Sequence, residues 1–235
     1  IVLYKVNIPK LNLTLSDEPT IKGSAFQFPH FRWGLLAIFL YVGVEVATSN
    51  LTNLYMMNEL KMDAGIAGAI VGTYWLLMFV GRFSGGFIGR VVSSRTQLIV
   101  VSSLALLLYL GALLISPENK VIMPAINSNF ELLLAQVPVN VLLLVLVGLC
   151  TSVMWSCIFI QSTEGLGKYT NQATGFMIMM IAGGGVIPAV QGQLQVMLGS
   201  FLPSYWVGFV CFAYILLFAL FVKKAPKPSS KADKL

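Results

Sequence analysis

Charge is what this chain has least of. Only 10% of its 235 residues are Asp, Glu, Lys or Arg, against about 25% in a soluble globular protein. Length alone would permit one or two soluble domains. With 57% hydrophobic residues and a mean hydropathy of +0.83, that class is excluded, and the chain is an integral membrane protein. Histidine is almost absent: His30 is the single one, and it lies ahead of the first apolar run. A rhomboid-type protease would need an intramembrane His beside its serine, so that chemistry is excluded. No Asp falls inside an apolar run, which removes the paired aspartates of an intramembrane aspartyl protease. No enzyme activity is expected.

Cysteine is scarce as well. Cys150, Cys157 and Cys211 all sit in apolar runs. The first two are two helical turns apart, about 10.5 Å at the α-helical rise, too far for a disulfide. No Cys/His group has metal-ligand spacing, so no metal site is expected, and the three read as small core residues. The net charge of +6 does not imply nucleic acid, because the basic residues lie between apolar runs rather than along a stripe with exposed aromatics. The chain has no initiator Met and no basic segment followed by a cleavage site, so no signal peptide is expected. Its opening Ile1-Val-Leu-Tyr4 reads as the last turn of a helix whose body is absent, and the sequence is expected to be a fragment.

What the chain has is six apolar runs near the length of a bilayer span: residues 33–57, 64–89, 98–115, 137–160, 170–198 and 205–222. Ahead of them, residues 1–32 are expected to hold that helix end and a polar linker; its Asn12-Leu-Thr14 sequon would matter only outside the cytoplasm. The longest break, residues 116–136, contains Pro117, Pro124 and Asn127-Ser-Asn129. It is expected to be a loop, with a short surface helix near residues 131–135. Residues 223–235 carry five lysines and two prolines and are expected to form a disordered tail. An even number of spans puts both ends on one side. Lys5, Lys10, Lys22, Arg32, Arg90, Arg95, Lys168 and the tail lysines all fall there, whereas the opposite loops hold Lys61 and Lys120. The positive-inside rule then makes both ends cytoplasmic.

Polar residues within the runs are informative because lipid cannot satisfy them. Glu45 lies near the middle of the first run, where a charged carboxylate facing lipid costs a few kcal/mol or more. Its functional reading is a site for a proton or a polar substrate; the structural alternative is a protonated acid bonded to a neighbouring helix. Thr48, Ser49 and Thr52 follow Glu45 at helical spacing and form one polar stripe, with Asn50 and Asn53 on a neighbouring face. Such a stripe lines a water-filled cavity or a helix interface, and the carboxylate favours the cavity.

In the fourth run Thr151, Trp155 and Phe159 stack at i, i+4, i+8 beside Ser152 and Ser156. Aromatic faces next to hydroxyls suit a sugar, whose C–H face packs on the ring while its hydroxyls are hydrogen-bonded. Ordinary packing of Trp155 remains the alternative. The second run carries Gly65, Gly68 and Gly72, a row that lets a neighbour approach. It ends in Gly81-Arg-Phe-Ser-Gly85-Gly-Phe-Ile-Gly-Arg90, where Arg82 and Arg90 mark the membrane boundary and the glycines suit a structural latch. The fifth run holds Gly183-Gly184-Gly-Val-Ile-Pro188 and then Gln191-Gly-Gln193, a place for a bend that serves as a gate or stays a static kink.

Phe28-Pro-His-Phe-Arg-Trp-Gly34 leading into Ala37-Ile-Phe-Leu-Tyr-Val-Gly-Val-Glu45 resembles the seventh helix of the fucose–galactose–proton symporter family of the major facilitator superfamily. Val80-Gly-Arg-Phe-Ser-Gly85 resembles that family's eighth helix. Ile181-Ala-Gly-Gly-Gly-Val-Ile-Pro188 with Gln191-Gly192 resembles its eleventh. The motifs come in family order from Phe28 to Val222. The resemblance implies an all-α membrane protein: a six-transmembrane-helix bundle that forms the C-terminal half of a twelve-helix transporter in a bacterial inner membrane, built from two inverted three-helix repeats. It implies import of a hexose or deoxyhexose, glucose/galactose or fucose, by alternating access with a proton as coupling ion and no other cofactor. The partner implied is an N-terminal half, where the family's proton-carrying carboxylates belong. Glu45 departs from the Gln of the fucose branch and looks more like the glucose/galactose branch.

The candidate substrate-binding residues are therefore Glu45, Ser49, Thr52, Asn53, Thr151, Trp155, Phe159 and Gln191. The candidate structural or gating residues are Gly81, Arg82, Gly85, Arg90, Gly184 and Pro188. For Glu45 itself, the role favoured is acceptor for sugar hydroxyls or part of the network between halves, with proton coupling second. The alternative class is a stand-alone six-helix channel or structural module, although no ring of repeated polar groups suggests a filter.

Overall fold

The computed structural model describes residues 23–126 and 131–222. The helix-end, linker and tail assignments for residues 1–22 and 223–235, and that for Asn127-Ser-Asn129, lie outside the described residues. After a short 3-10 turn at Ala25–Gln27, α1 runs Pro29–Asn58, α2 Ala64–Ile88 and α3 Ser94–Leu114. Strands β1, Lys120–Ile126, and β2, Leu132–Pro138, follow. The fourth apolar stretch is two helices, α4 (Val139–Thr151) and α5 (Met154–Thr163). The fifth is α6 (Thr170–Met179) and α7 (Gly183–Leu198), with a 3-10 turn at Met180–Ala182 between them. A one-turn α8 (Phe201–Ser204) leads into α9 (Trp206–Phe221). Among the described residues, six stretches are long and apolar enough to cross a membrane.

Local chemistry sets the helix ends. Pro29 opens α1, its fixed φ suited to a first turn, after Phe28 in extended conformation. The helix thus begins four residues before the expected position 33, and His30 falls in its first turn, with Nε2 3.1 Å from the Glu164 carbonyl. The Asp63 carboxylate accepts from the amides of Gly65 and Ile66 and caps α2. Ser93 caps α3 through the Thr96 amide. Gly199, at φ +70°, ends α7 in the left-handed conformation. Arg95 spans from the start of α3 to the other end of the sequence, donating to the last carbonyls of α9, Ala219 and Leu220. A cation there complements the helix dipole.

The packing has a two-fold pattern. The first span packs on the fifth and sixth, and the fourth packs on the second and third; the third and sixth meet each other. Exchanging spans one, two and three with four, five and six interchanges the first two sets of contacts and leaves the third–sixth contact in place, the pattern expected of two three-helix repeats. Glycine makes the closest approaches. A Cβ at Gly183 would lie 2.0 Å from the Phe39 carbonyl oxygen, and one at Gly43 would lie 2.2 Å from Ile187. On the counterpart contact, a Cβ at Gly148 would sit 2.5 Å from the Tyr74 main-chain carbonyl oxygen and one at Gly85 2.0 Å from Val153.

Three expectations need correction. Residues 131–135 are not a surface helix: 132–138 pair antiparallel with 120–126, Met123 opposite Ala135. Alternating burial decides this, because Met123, Ala125, Ala135 and Val137 all turn inward onto the end of α1 and the first turns of α2 and α4. The fifth span is interrupted by the 3-10 turn Met180–Ala182, just before its glycines, whereas Pro188 lies inside a continuous α7. The fourth span is interrupted at Ser152–Val153, between α4 and α5.

Candidate functional site

An open cavity of about 790 Å³ lies between α1, α2, the start of α3 and the α4–α5 break. Glu45 stands at its inner wall, only 8% exposed. An Arg82 Nη lies 3.3 Å from its carboxylate, with the guanidinium side chain 55% exposed. Both residues face the cavity. Two spans thus supply one charge each, which resolves the cost of an isolated intramembrane acid. The Tyr74 hydroxyl donates to the main-chain carbonyl of Glu45 at 3.2 Å, fixing this turn of α1 against α2.

The opposite wall comes from the interrupted fourth span. Ser152, Val153, Trp155, Ser156 and Cys157 line the cavity. The Ser152 hydroxyl donates to the Leu149 carbonyl at 2.6 Å, and Thr151 donates to the Gly148 carbonyl at 3.1 Å. Side-chain hydroxyls therefore satisfy carbonyls at the break. Trp155 is half-buried, its ring 6.3 Å from that of Tyr41, which leaves its remaining surface to the cavity. The arrangement offers a carboxylate acceptor, a guanidinium with unused donors, serine hydroxyls and an aromatic face. That set suits a neutral polyhydroxylated ligand.

The candidate residues divide. Glu45, Arg82, Gly85, Arg90 and Trp155 converge on the cavity. The rest of the first-span stripe does not. Thr48 bonds the Tyr109 hydroxyl, and Thr52 lies 2.9 Å from the Tyr205 hydroxyl. Ser49 donates to the Val46 carbonyl of its own helix. Thr48 and Thr52 are thus buried in the contact of α1 with α3 and the sixth span, and Ser49 is buried beside them in sequence, so this part of the stripe is polar because it is an interface. Asn53 is half-buried above them. Thr151 is fully buried, 3.5 Å from the Tyr74 hydroxyl. Phe159 packs against the main hydrophobic cluster. Gln191 is fully buried, Nε2 3.4 Å from Ser204 Oγ, away from the cavity. Gly81 gives Ser152 room, since its Cβ would stand 2.4 Å from that hydroxyl, and Gly184 packs on Val42. Pro188 is half-buried within α7. Arg90 stacks its guanidinium over Phe87.

Ser94 and Gln97 also line the cavity, and sequence reasoning missed them. Both lie in the first turn of α3, beside its Ser93 cap, and nothing in their spacing separates a cap from a wall.

No family model matches the chain. A Helicobacter pylori (strain J99) protein named for glucose/galactose transport is 31% identical over 94% of this chain and 50% of its own length. The Brucella abortus glucose/galactose transporter is 27% identical over 89% of the chain and 47% of its own. The Escherichia coli L-fucose-proton symporter is 28% identical over 82% and 40%. The crystal structure of the major facilitator superfamily transporter FucP in its outward conformation superposes with a TM-score of 0.70 at 25% identity, covering 84% of this chain and 43% of that one. The chain spans about half the length of the curated relatives it matches. In sequence and in fold it is similar to members of the fucose–galactose–proton symporter family of the major facilitator superfamily, and carries a six-helix half of that architecture.

Proposed function

We propose that the chain is the C-terminal half of a secondary transporter that moves a hexose or deoxyhexose with a proton across a bacterial inner membrane, both ends of the chain being cytoplasmic. The observation that carries the reading is the Glu45–Arg82 pair set into a cavity of about 790 Å³, within the range of small-molecule sites and adequate for a monosaccharide. Glu45 accepts hydrogen bonds from sugar hydroxyls, Arg82 orients its carboxylate and donates in turn, and Trp155 packs on the C–H face of the ring. The relatives' names favour glucose or galactose for this branch, in keeping with the acid at position 45. The other half supplies the remaining cavity wall and carries the coupled proton, and rocking of the two halves alternates access.

The deciding experiment is uptake of a sugar panel by the reconstituted full-length protein at two pH values, with and without an uncoupler. Saturable uptake of one hexose class that collapses with the proton gradient is the result expected. Uptake of no sugar, or uptake indifferent to pH and uncoupler, overturns the reading.

A further inference from the structure

The β1–β2 hairpin reaches down α2 as far as Thr73. Its Ile126 amide donates to Thr73 Oγ1 of α2 at 3.3 Å, and the Ile126 carbonyl lies 3.3 Å from where a Cβ on Gly72 would be. Thr73 is ten residues past Asp63, the acid that caps α2 at the outer surface. At the α-helical rise that is about 15 Å below it, roughly half the hydrocarbon thickness. A two-stranded sheet has two open edges of backbone N–H and C=O groups. Lipid cannot satisfy such groups, so strand backbone at that depth must face protein or a water-filled space. Water alone is a poor neighbour here, because the outward face is apolar: Ile122 is 71%, Leu132 68% and Leu134 73% exposed.

Beside the hairpin runs a groove of about 670 Å³, floored by Gly65, Gly68 and Gly72 and walled by Ile126 and Leu133. A Cβ at Gly68 would meet nothing within 4 Å, unlike those at Gly81, Gly85, Gly148 and Gly183, which neighbours in this half fill. An apolar wall over a small-residue floor is shaped for a helix.

We propose that the hairpin and this groove are a docking surface for the outer end of a helix from the other half of the transporter. This occupant is chosen because the curated relatives are about twice the length of this chain. The inference rests on the two-half reading above. It adds a non-helical element to the contact between halves, made on the extracytoplasmic side.

The test is photocrosslinking in the reconstituted full-length protein, with p-benzoylphenylalanine replacing Leu134 or Ile122, and Leu107 of α3, 66% exposed, as the lipid-facing control. Expected are intramolecular adducts from positions 122 and 134 to peptides of the other half, and lipid adducts from position 107. Lipid adducts, covalent dimers or no adduct at 122 and 134 overturn the docking surface. Sugar uptake, measured on the same variants before illumination, separates the two readings. Uptake with lipid adducts at 134 sinks the docking surface alone, whereas inter-half adducts without sugar uptake sink the transport reading alone.

Discussion

Thr52 Oγ1 lies 2.9 Å from the hydroxyl of Tyr205, both residues at most 2% exposed, and this contact takes the outer part of the first span's polar stripe away from the cavity. Tyr205→Phe removes one buried hydrogen bond and is expected to cost about 1 kcal/mol, seen as a lower melting midpoint in detergent with sugar preference unchanged. A change in preference at constant stability would put Thr52 in the site instead.

Glu45→Gln keeps the shape of the side chain and removes its charge. Weakened sugar uptake, or a flattened pH dependence, is the outcome expected of a functional acid. Unchanged uptake across the pH range would sink that role.

Arg82→Ala leaves the Glu45 carboxylate with its cation gone. Breaking a fully buried pair costs about 3–5 kcal/mol; the half-exposed guanidinium brings the expected loss down to about 1–3 kcal/mol. Adding Glu45→Gln to Arg82→Ala should recover most of that stability without restoring transport. A double variant no more stable than the single one shows that the two side chains are not coupled.

Trp155→Ala is expected to impair sugar binding more than folding, since the ring is only half-buried and faces the cavity. Equal losses in thermal stability and in sugar affinity would assign Trp155 to packing.

Gly183→Ala places a methyl carbon 2.0 Å from the Phe39 carbonyl oxygen. Forced separation of the helices should cost about 1–3 kcal/mol or more, read as a sharp loss of folded yield. Gly185→Ala, with nothing within 4 Å of its Cβ, is the neighbouring control and should be well tolerated.

The six spans and the intramembrane acid were legible in the sequence because both follow from one scarcity: polar groups are so rare here that each one inside a span stands out. What could not be read was which way each polar residue turns. Glu45 and Thr52 share a helix face by spacing, yet the first meets Arg82 and the second meets Tyr205, because two neighbours divide that face along its length. A tyrosine hydroxyl from another helix completes Thr48 and Thr52, and no local pattern signals it. The hairpin was missed for a related reason. Leu132-Leu-Leu-Ala-Gln-Val-Pro138 opens with three leucines in a row, so its residue types do not alternate as its burial does, and its inward set is fixed only by what it covers. Gln191, conspicuous as a polar residue in an apolar helix, donates from Nε2 to Ser204 on the following segment, while its buried Oε1 has no hydrogen-bond partner among the described residues.

The backbone contact at Gly43 and Gly183 has a mechanical consequence. α1 and α7 meet backbone to backbone at Phe39 and Gly183, the Ile187 side chain covers Gly43, and Val42, one residue before Gly43, is both the neighbour of Gly184 and a wall of the cavity. Rotamer changes offer little slack at so close a contact, and Glu45 lies two residues past Gly43, so a displacement of α7 against α1 is expected to be felt at the carboxylate.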